Sequence, residues 1–461
     1  MKKIVVSFIL VLLTLFFTMS CKKSLGLSKA NVTFSVDTLV FDTVFTTVGS
    51  FTQQFKIYNP DAKNIVLEEV ELMGGSKSPF RINLDGSSGT NFTNLGINGK
   101  DSLFVFVDVK LGVNGKNLPT IVEDSIRIRT NGKDQYMNLM VWGQDAYFHY
   151  KEVLKESEWK SDKPHVIIDY AAVDSAKTLT ISAGTKIHLH KNALLYVYKG
   201  SLKVEGTKEQ PVIFQSDRLD VFYKDISGQY YGIYFNQALP SKINYAIIKN
   251  GTSGIHMYSQ DNKNTKETLI LTNTIIQNNS SYGIYLFSNP WIKMENCIIS
   301  KNDVYGLFIL QGALVDINHC DILGYGKTSE NAAALALKNY YTNNDDKITY
   351  VSPIKGFIRN TVIYGYRDDE IIYDTLESEA VNTLSYNTCL IKSTISNSLP
   401  QFIKTLWNLD PDFKEINNYN FNFGLTSPLN NNGNPNYLIP FDMNGKPRSI
   451  TTPDIGAIEI D

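Results

Sequence analysis

Short runs of alternating apolar and polar residues fill most of the chain, separated by clusters of Asn, Gly, Asp and Ser. In the N-terminal third these runs are Phe34–Phe41, Gln54–Tyr58, Ile65–Val70, Phe80–Leu84, Leu103–Val109, Ser125–Arg129 and Tyr136–Trp142. Leu103, Val105, Val107 and Val109 share one face of their run, the period-two mark of a strand with one side buried. Asn59-Pro60-Asp61 supplies one turn, and Asn131-Gly132-Lys133 is a hairpin signal. The pattern predicts an antiparallel β-sandwich of immunoglobulin type over residues 31–146, without the Cys-Trp-Cys framework of antibody domains. No segment shows a long apolar stripe at helical spacing. The charged stretch Lys151–Lys160 alone suits one or two helical turns.

Beyond residue 176 the runs repeat. Tyr231–Phe235, Ser253–Met257, Tyr282–Leu286 and Tyr305–Ile309 superpose, and their glycines stand 22, 29 and 23 residues apart. The longer gap holds the polar insertion Ser259–Glu267. Companion segments precede the later members at Ala246–Asn250, Thr274–Asn278 and Cys297–Lys301, with further copies at Thr361–Ile363 and Cys389–Ile391. A fixed period in this range marks a solenoid. Leucine-rich repeats would need a leucine-asparagine framework that is missing, and helical repeats a longer period. Strand-forming triplets broken by Asn, Gly and Ser predict a right-handed parallel β-helix over 176–395. Like residues should then stack on like. Cys297 and Cys320, 23 apart, should be interior neighbours, and Asn273 and Asn296, also 23 apart, rungs of an asparagine ladder. Leu179–Ile181, Lys186–His190, Leu194–Tyr198, Leu202–Val204 and Val212–Phe214 read as the first coils, with corners at Gly184, Gly200 and Gly206. An open end exposes a strand edge. Residues 147–175, with Trp159, are therefore expected as a connector and N-terminal cap, and 396–461 as final coils and cap.

The two ends carry resemblances. Lys2 and Lys3 precede the apolar run Ile4–Phe17, which is short for a membrane span. Thr18-Met19-Ser20-Cys21 follows and resembles the lipobox cut by lipoprotein signal peptidase. The resemblance implies a signal peptide over 1–20, a lipidated tether over 21–30 and acyl chains, palmitate among them, on Cys21. Each buried methylene contributes about 0.8 kcal/mol, so several chains would anchor the protein durably to a bilayer. The expected place is the cell envelope, at the outer membrane, on its periplasmic or surface face. Lys22-Lys23-Ser24 stand where surface lipoproteins of Bacteroidetes tend to carry acidic residues. At the other end, Ser427-Pro428-Leu429 with Asn430–Asn434, then Asp442–Arg448 and Asp454–Glu459, are similar to a paired C-terminal signature of exported pectate-lyase-like β-helix proteins. From Phe34 onward the chain resembles a Bacteroidetes family of right-handed β-helix lipoproteins with an N-terminal immunoglobulin-like sandwich. That resemblance implies an all-β architecture and says little about activity.

Charge and cysteine content narrow the chemistry. The formal charge is −2, moving to −4 without residues 1–20, which gives no basis for a nucleic-acid partner. Besides Cys21 there are only Cys297, Cys320 and Cys389, without metal-ligand or disulfide spacing; they are expected as buried apolar residues. No metal site or cofactor is evident. A calcium-dependent lyase would need clustered carboxylates and a basic residue to take a sugar proton. The nearest sets are Asp217, Arg218, Asp220 and Asp225, and Arg367, Asp368 and Asp369 with Arg359. Arg218 or Arg367 would be the base. Solvated turns and salt-bridged corners are the favoured account of both sets. A hydrolase would need a carboxylate pair at defined separation, and none is legible; His319 lacks flanking glycines and a basic partner. His188 and His190 alternate on one strand and are expected to be exposed. Tyr231, Tyr282 and Tyr305 precede repeat glycines while Tyr234 and Tyr285 follow them, so one set should face outward as a stripe suited to stacking on sugar rings and the other inward as core. The sequence thus favours an extended surface for a polysaccharide or other envelope polymer, without catalysis. A lyase or hydrolase acting on an acidic glycan is the alternative, and an envelope scaffold or adhesin the second.

Overall fold

The computed structural model describes residues 27–155, 158–259, 266–326, 333–345, 347–376, 382–395 and 398–460. Cys21, the apolar N-terminal run and the centre of the polar insertion (260–265) lie outside them. The chain divides into two compact units between Gln144 and Asp145.

The first unit is a sandwich of two five-stranded sheets. One sheet runs in the order Thr33–Phe34, Gln53–Tyr58, Ser102–Val109, Phe80–Leu84, Ser87–Gly89, and the other Thr38–Phe45, Lys133–Gln144, Thr120–Thr130, Ile65–Leu72, Asn91–Ile97. Alternation does what the sequence predicts. Val105, Val107 and Val109 are buried with Phe41, Phe55, Ile57, Leu67, Ile126 and Val141, while Phe104 and Phe106 stack on the outside. One pairing departs from the antiparallel expectation. Thr38–Phe45 runs parallel to Lys133–Gln144, with Thr38 opposite Asn138. The first and last long strands thus lie side by side, a relation between chain ends that local alternation cannot encode.

The second unit is the β-helix. Each full coil gives one strand to a ten-stranded sheet and two to an eighteen-stranded sheet, all paired in parallel with the next coil. The eighteen-stranded sheet holds two rows. One row includes Leu194–Tyr198, Gly232–Asn236, Ser253–Tyr258, Tyr282–Phe287 and Tyr305–Leu310; the other includes Lys186–Leu189, Val212–Ser216, Ala246–Lys249, Ile298–Ser300, Asp321–Gly324 and Val362–Gly365. Inward residues stack in register: Ile233, Ile255, Ile284 and Leu307 from the first row, Ile248, Ile276, Ile299 and Ile322 from the second. Cys297 and Cys320 stack inside as free, buried thiols, the amide of Cys297 lying 3.4 Å from Cys320 Sγ. The asparagine ladder is present: Asn296 Nδ2 donates to Asn273 Oδ1 at 3.2 Å, and Asn273 Nδ2 to Asn244 Oδ1 at 3.0 Å. A second ladder joins Asn278 to Asn250 at 2.8 Å. Asn250, Asn273, Asn278 and Asn296 all sit at φ between 51° and 71°, a region that Asn tolerates better than most residues.

Three expectations need correction. Residues 147–175 are not a connector, because Tyr147–Val153 pairs in parallel with His165–Val173 and already belongs to the helix. Among the described residues of Lys151–Lys160, the end of Tyr147–Val153 and Glu158–Trp159 are strand, in place of the expected helical turn. Tyr147–Val153 has no strict alternation; its one buried side chain is His149, held to His165 on the parallel partner strand at 2.9 Å. Trp159 is fully buried and stacks on the rings of His149 (4.5 Å) and His165 (4.6 Å), which lie side by side with Nε2 of the first 2.9 Å from Nδ1 of the second. The C-terminal segment also does more than cap. After Leu406–Trp407 it lies along the outside of the second row, where Phe421, Phe423, Leu429 and Ile455 cover Ile298, Leu323, Val362 and Leu390.

The C-terminal motif residues hold that tail in place. Asp454 accepts the amides of Asn431 (2.6 Å) and Ile460 (2.8 Å), and Glu459 those of Asp454 (2.9 Å) and Ser449 (2.8 Å). Arg448 reaches Glu459 (3.2 Å), Asn296 Oδ1 (3.0 Å) and the carbonyl of Gly456 (3.0 Å), tying the tail to the asparagine ladder. At Gly456, φ is +103° and a Cβ would come within 2.4 Å of the Asp321 carboxylate, so only glycine fits.

Candidate aromatic site on the helix face

The outer side of the first row is paved with rings, and a local break in strand alternation puts them there. In Tyr282–Phe287 strict alternation would bury Tyr282 along with Ile284. Instead Gly283 and Ile284 are both buried while Tyr282 and Tyr285 are both half-exposed. Gly283 sits at the corner, and a Cβ on it would meet Ile299 Cγ2 at 2.5 Å and the Gly306 carbonyl at 2.6 Å. Glycine lets the backbone turn there with two successive residues inward, which shifts the parity of Tyr282. Tyr305-Gly306-Leu307-Phe308 repeats the arrangement. Both tyrosine sets therefore lie outside, against the expectation that one is core.

Register turns these rings into columns. Tyr196, Tyr234, His256, Tyr285 and Phe308 stand opposite one another on successive coils. Their centroids are 5.4 Å apart for Tyr196–Tyr234, 4.3 Å for Tyr234–His256, 4.6 Å for His256–Tyr285 and 5.2 Å for Tyr285–Phe308. These follow the inter-strand spacing of about 4.8 Å. On one side Tyr282 and Tyr305 stack at 6.0 Å; on the other Tyr258 and Phe287 pair at 5.4 Å. Tyr231 reaches across to His256, its hydroxyl 2.7 Å from Nδ1. Burial between two tyrosines lowers His256 to about 4, so at neutral pH it is an uncharged member of the stack. Burial likewise pushes Tyr234 up to about 12. His256 is thus a neutral imidazole and Tyr234 keeps its hydroxyl proton as a donor. The corresponding outward column of the ten-stranded sheet is mixed: Lys203, Lys242, Ile270, Lys293, Asp316 and Phe357 follow one another there in register.

At its N-terminal end the aromatic face dips into a cavity of about 510 Å³, lined by Val153, Tyr170, Ala172, Asp174, Leu194, Tyr196, Tyr198 and Tyr234.

The carboxylate candidates do not assemble. Asp217 is held by His190 Nδ1 at 2.6 Å, which raises the histidine's pKa. Arg218 lies over the ring of Tyr223 at 4.4 Å, and Asp225 is exposed on the same loop. Among the described residues no three His, Cys, Asp or Glu side chains converge as a metal-binding group, so Asp217, Asp220 and Asp225 do not form the calcium cluster a lyase would need. Arg367 and Asp369 serve a corner: Asp369 accepts from Ser393 Oγ (2.9 Å) and Thr394 Oγ1 (2.8 Å), and Arg367 Nε donates to the Asp369 carbonyl (3.3 Å). Their neighbour Glu370 is fully buried, accepts the amides of Ala334 (2.7 Å) and Arg367 (2.8 Å), and is pushed up to about 7 by burial. Arg359 pairs with Asp316 instead. His188 is buried rather than exposed, its Nδ1 3.0 Å from the Ser216 carbonyl. His319 is buried at a turn, Nε2 against Asn360 Nδ2 at 3.0 Å.

Tyr196, Tyr198, His256, Tyr258, Phe287 and Phe308 also belong to the face, although a search for repeated tyrosines passes over most of them. The signal was available: Tyr234, His256, Tyr285 and Phe308 each fall two residues after a repeat glycine, so what recurs from coil to coil is a ring position and not a tyrosine.

Residues 209–322 match the family model described as the right handed beta helix region. No curated protein matches the chain. Among solved structures it is similar to a family 123 glycoside hydrolase from Clostridium perfringens, studied for glycolipid glycan hydrolysis. Identity is 10% and the TM-score 0.18, over 26% of this chain and 27% of that one. It is also similar to the Agl-KA catalytic domain, at 9% identity and a TM-score of 0.25, over 77% of this chain and 86% of the other. The chain is a β-helix repeat protein, and neither likeness bears on its chemistry.

Proposed function

We propose that this protein is held to the cell envelope by acyl chains on Cys21 and binds a polysaccharide along the aromatic face of its β-helix, without cleaving it. The stacked, half-exposed column Tyr196–Tyr234–His256–Tyr285–Phe308 carries the reading. A ring face is electron-rich, and the C–H-bearing face of a pyranose is its electrostatic complement. Columns of rings running along the solenoid axis offer that contact repeatedly, as a polymer requires. Flanking phenols such as Tyr282 and Tyr305 can exchange hydrogen bonds with sugar hydroxyls.

The test is retention of the chain on immobilised acidic and neutral polysaccharides, with calcium and with chelator, alongside assay for new reducing or unsaturated ends. Retention without new ends, weakened about tenfold or more by Tyr285→Ala, is expected, since aromatic anchors commonly dominate such surfaces. Calcium-dependent cleavage would replace binding by the lyase reading. Failure of every polymer to be retained would leave the scaffold reading in its place.

A further inference from the structure

The cavity at the N-terminal end of the aromatic face has a specific relation to the ring column. In register, the residue preceding Tyr196 in that column is Ala172. Ring follows ring on each coil from Phe308 back to Tyr196, and then a methyl group stands where the next ring would be. The cavity is the consequence: Ala172 forms its floor, Tyr196 presents a ring to it, and Tyr170, Leu194 and Tyr198 flank it. Its volume of about 510 Å³ falls within the range of small-molecule sites, roughly 300–1,000 Å³.

The walls decide what can enter. Val153, Ala172 and Leu194 offer only carbon, and the strand backbones beneath them are occupied in the sheet. The Tyr196 hydroxyl accepts from Asn236 Nδ2 at 2.8 Å and keeps its own proton to donate, but the tyrosines turn mainly ring carbon to the space, so the lining as a whole is overwhelmingly apolar. Asp174 is the one carboxylate on the rim. A bare sugar ring would leave most of its hydroxyls without partners in such a place, which is costly, whereas a flat apolar ring would continue the stack on Tyr196.

We infer that this cavity receives an aryl or aromatic-acyl substituent of the bound glycan, stacked on Tyr196 over Ala172, with a ligand hydroxyl donating to Asp174. The inference rests on the glycan-binding reading and adds to it a class of ligand: a polymer decorated with aromatic groups.

Isothermal titration of the purified chain with methyl, phenyl and octyl β-glucosides, each kept below any micelle-forming concentration, tests this directly. Phenyl glucoside should bind at least about tenfold more tightly than methyl, the yield expected from burying one apolar ring. Ala172→Phe, which restores a ring to the column, should remove the difference, and Leu194→Asp should do so independently by charging a wall. Thermal unfolding of both variants establishes that they are folded. A phenyl preference over methyl of less than about tenfold would overturn the inference, as would a phenyl preference surviving both substitutions. Octyl bound more tightly than phenyl would mark an acyl site and overturn it too. The two readings separate cleanly. Polysaccharide retention with no phenyl preference removes only this inference, and absence of retention removes the glycan reading whatever the glucosides do.

Discussion

At the residue scale the aromatic face depends on glycine as much as on tyrosine. Gly283 is required for space, since a methyl group there would press on Ile299 and on the carbonyl of Gly306. Gly283→Ala should therefore cost about 1–3 kcal/mol, the usual penalty for overfilling a packed site, read as a lower urea midpoint. It should also disturb the stacking of Tyr282 and Tyr285, seen as a changed near-ultraviolet circular dichroism. One coil onward from Gly306, Ala334 sits buried next to a leucine, so the position accepts a methyl where the coil beyond permits it. A neutral Gly283→Ala would show that the corner relaxes and that the parity shift has another cause. The glycines were legible in the sequence as a repeat. Their effect on Tyr282 and Tyr305 was not, because alternation counted along one strand predicts the opposite face.

At the scale of elements, the C-terminal tail and the second row of the helix form one packed unit around a buried carboxyl. Asp321 faces the tail from its strand, accepts the amide of Ala457 at 3.2 Å, and is raised by burial to about 7. The folded protein therefore keeps this proton over a range where the unfolded chain, near 3.8, has lost it. The contribution is fully present below 3.8 and is lost as pH rises through 7. Asp321→Asn retains an oxygen acceptor without the charge. It should stabilise the protein at pH 8, by up to about 4 kcal/mol, with the advantage closing towards pH 4. Melting temperatures of the two proteins across that range measure it, and a pH-independent gap would mean that Asp321 is ionised comfortably where it lies. The motif residues Asp454, Gly456 and Glu459 were legible as a C-terminal signature. That they fasten a tail along the side of the helix, with Arg448 on Asn296, depends on contacts across more than a hundred residues of sequence.

At the scale of the whole molecule, the protein is a two-sheet sandwich and a solenoid in which each coil buries its apolar side against the next. The anchoring expected at Cys21 belongs to this scale too. Cys21→Ser should abolish incorporation of labelled palmitate and leave residues 1–20 uncut, read as a larger band by mass; labelling that persists in the variant would rule the anchor out. Sequence alone determined the all-β class, the repeat and its period, the stacked Cys297 and Cys320, and the ladder through Asn273 and Asn296. These properties are periodic, and a parallel solenoid turns a sequence period directly into spatial adjacency. Only the tertiary structure decided which rings face outward, that Asp217 meets His190, and that Tyr147 already begins the helix. It alone placed Ala172 at the head of the ring column. Those outcomes depend on corner geometry and on register between coils of unequal length, where a single added residue changes the face of every side chain that follows.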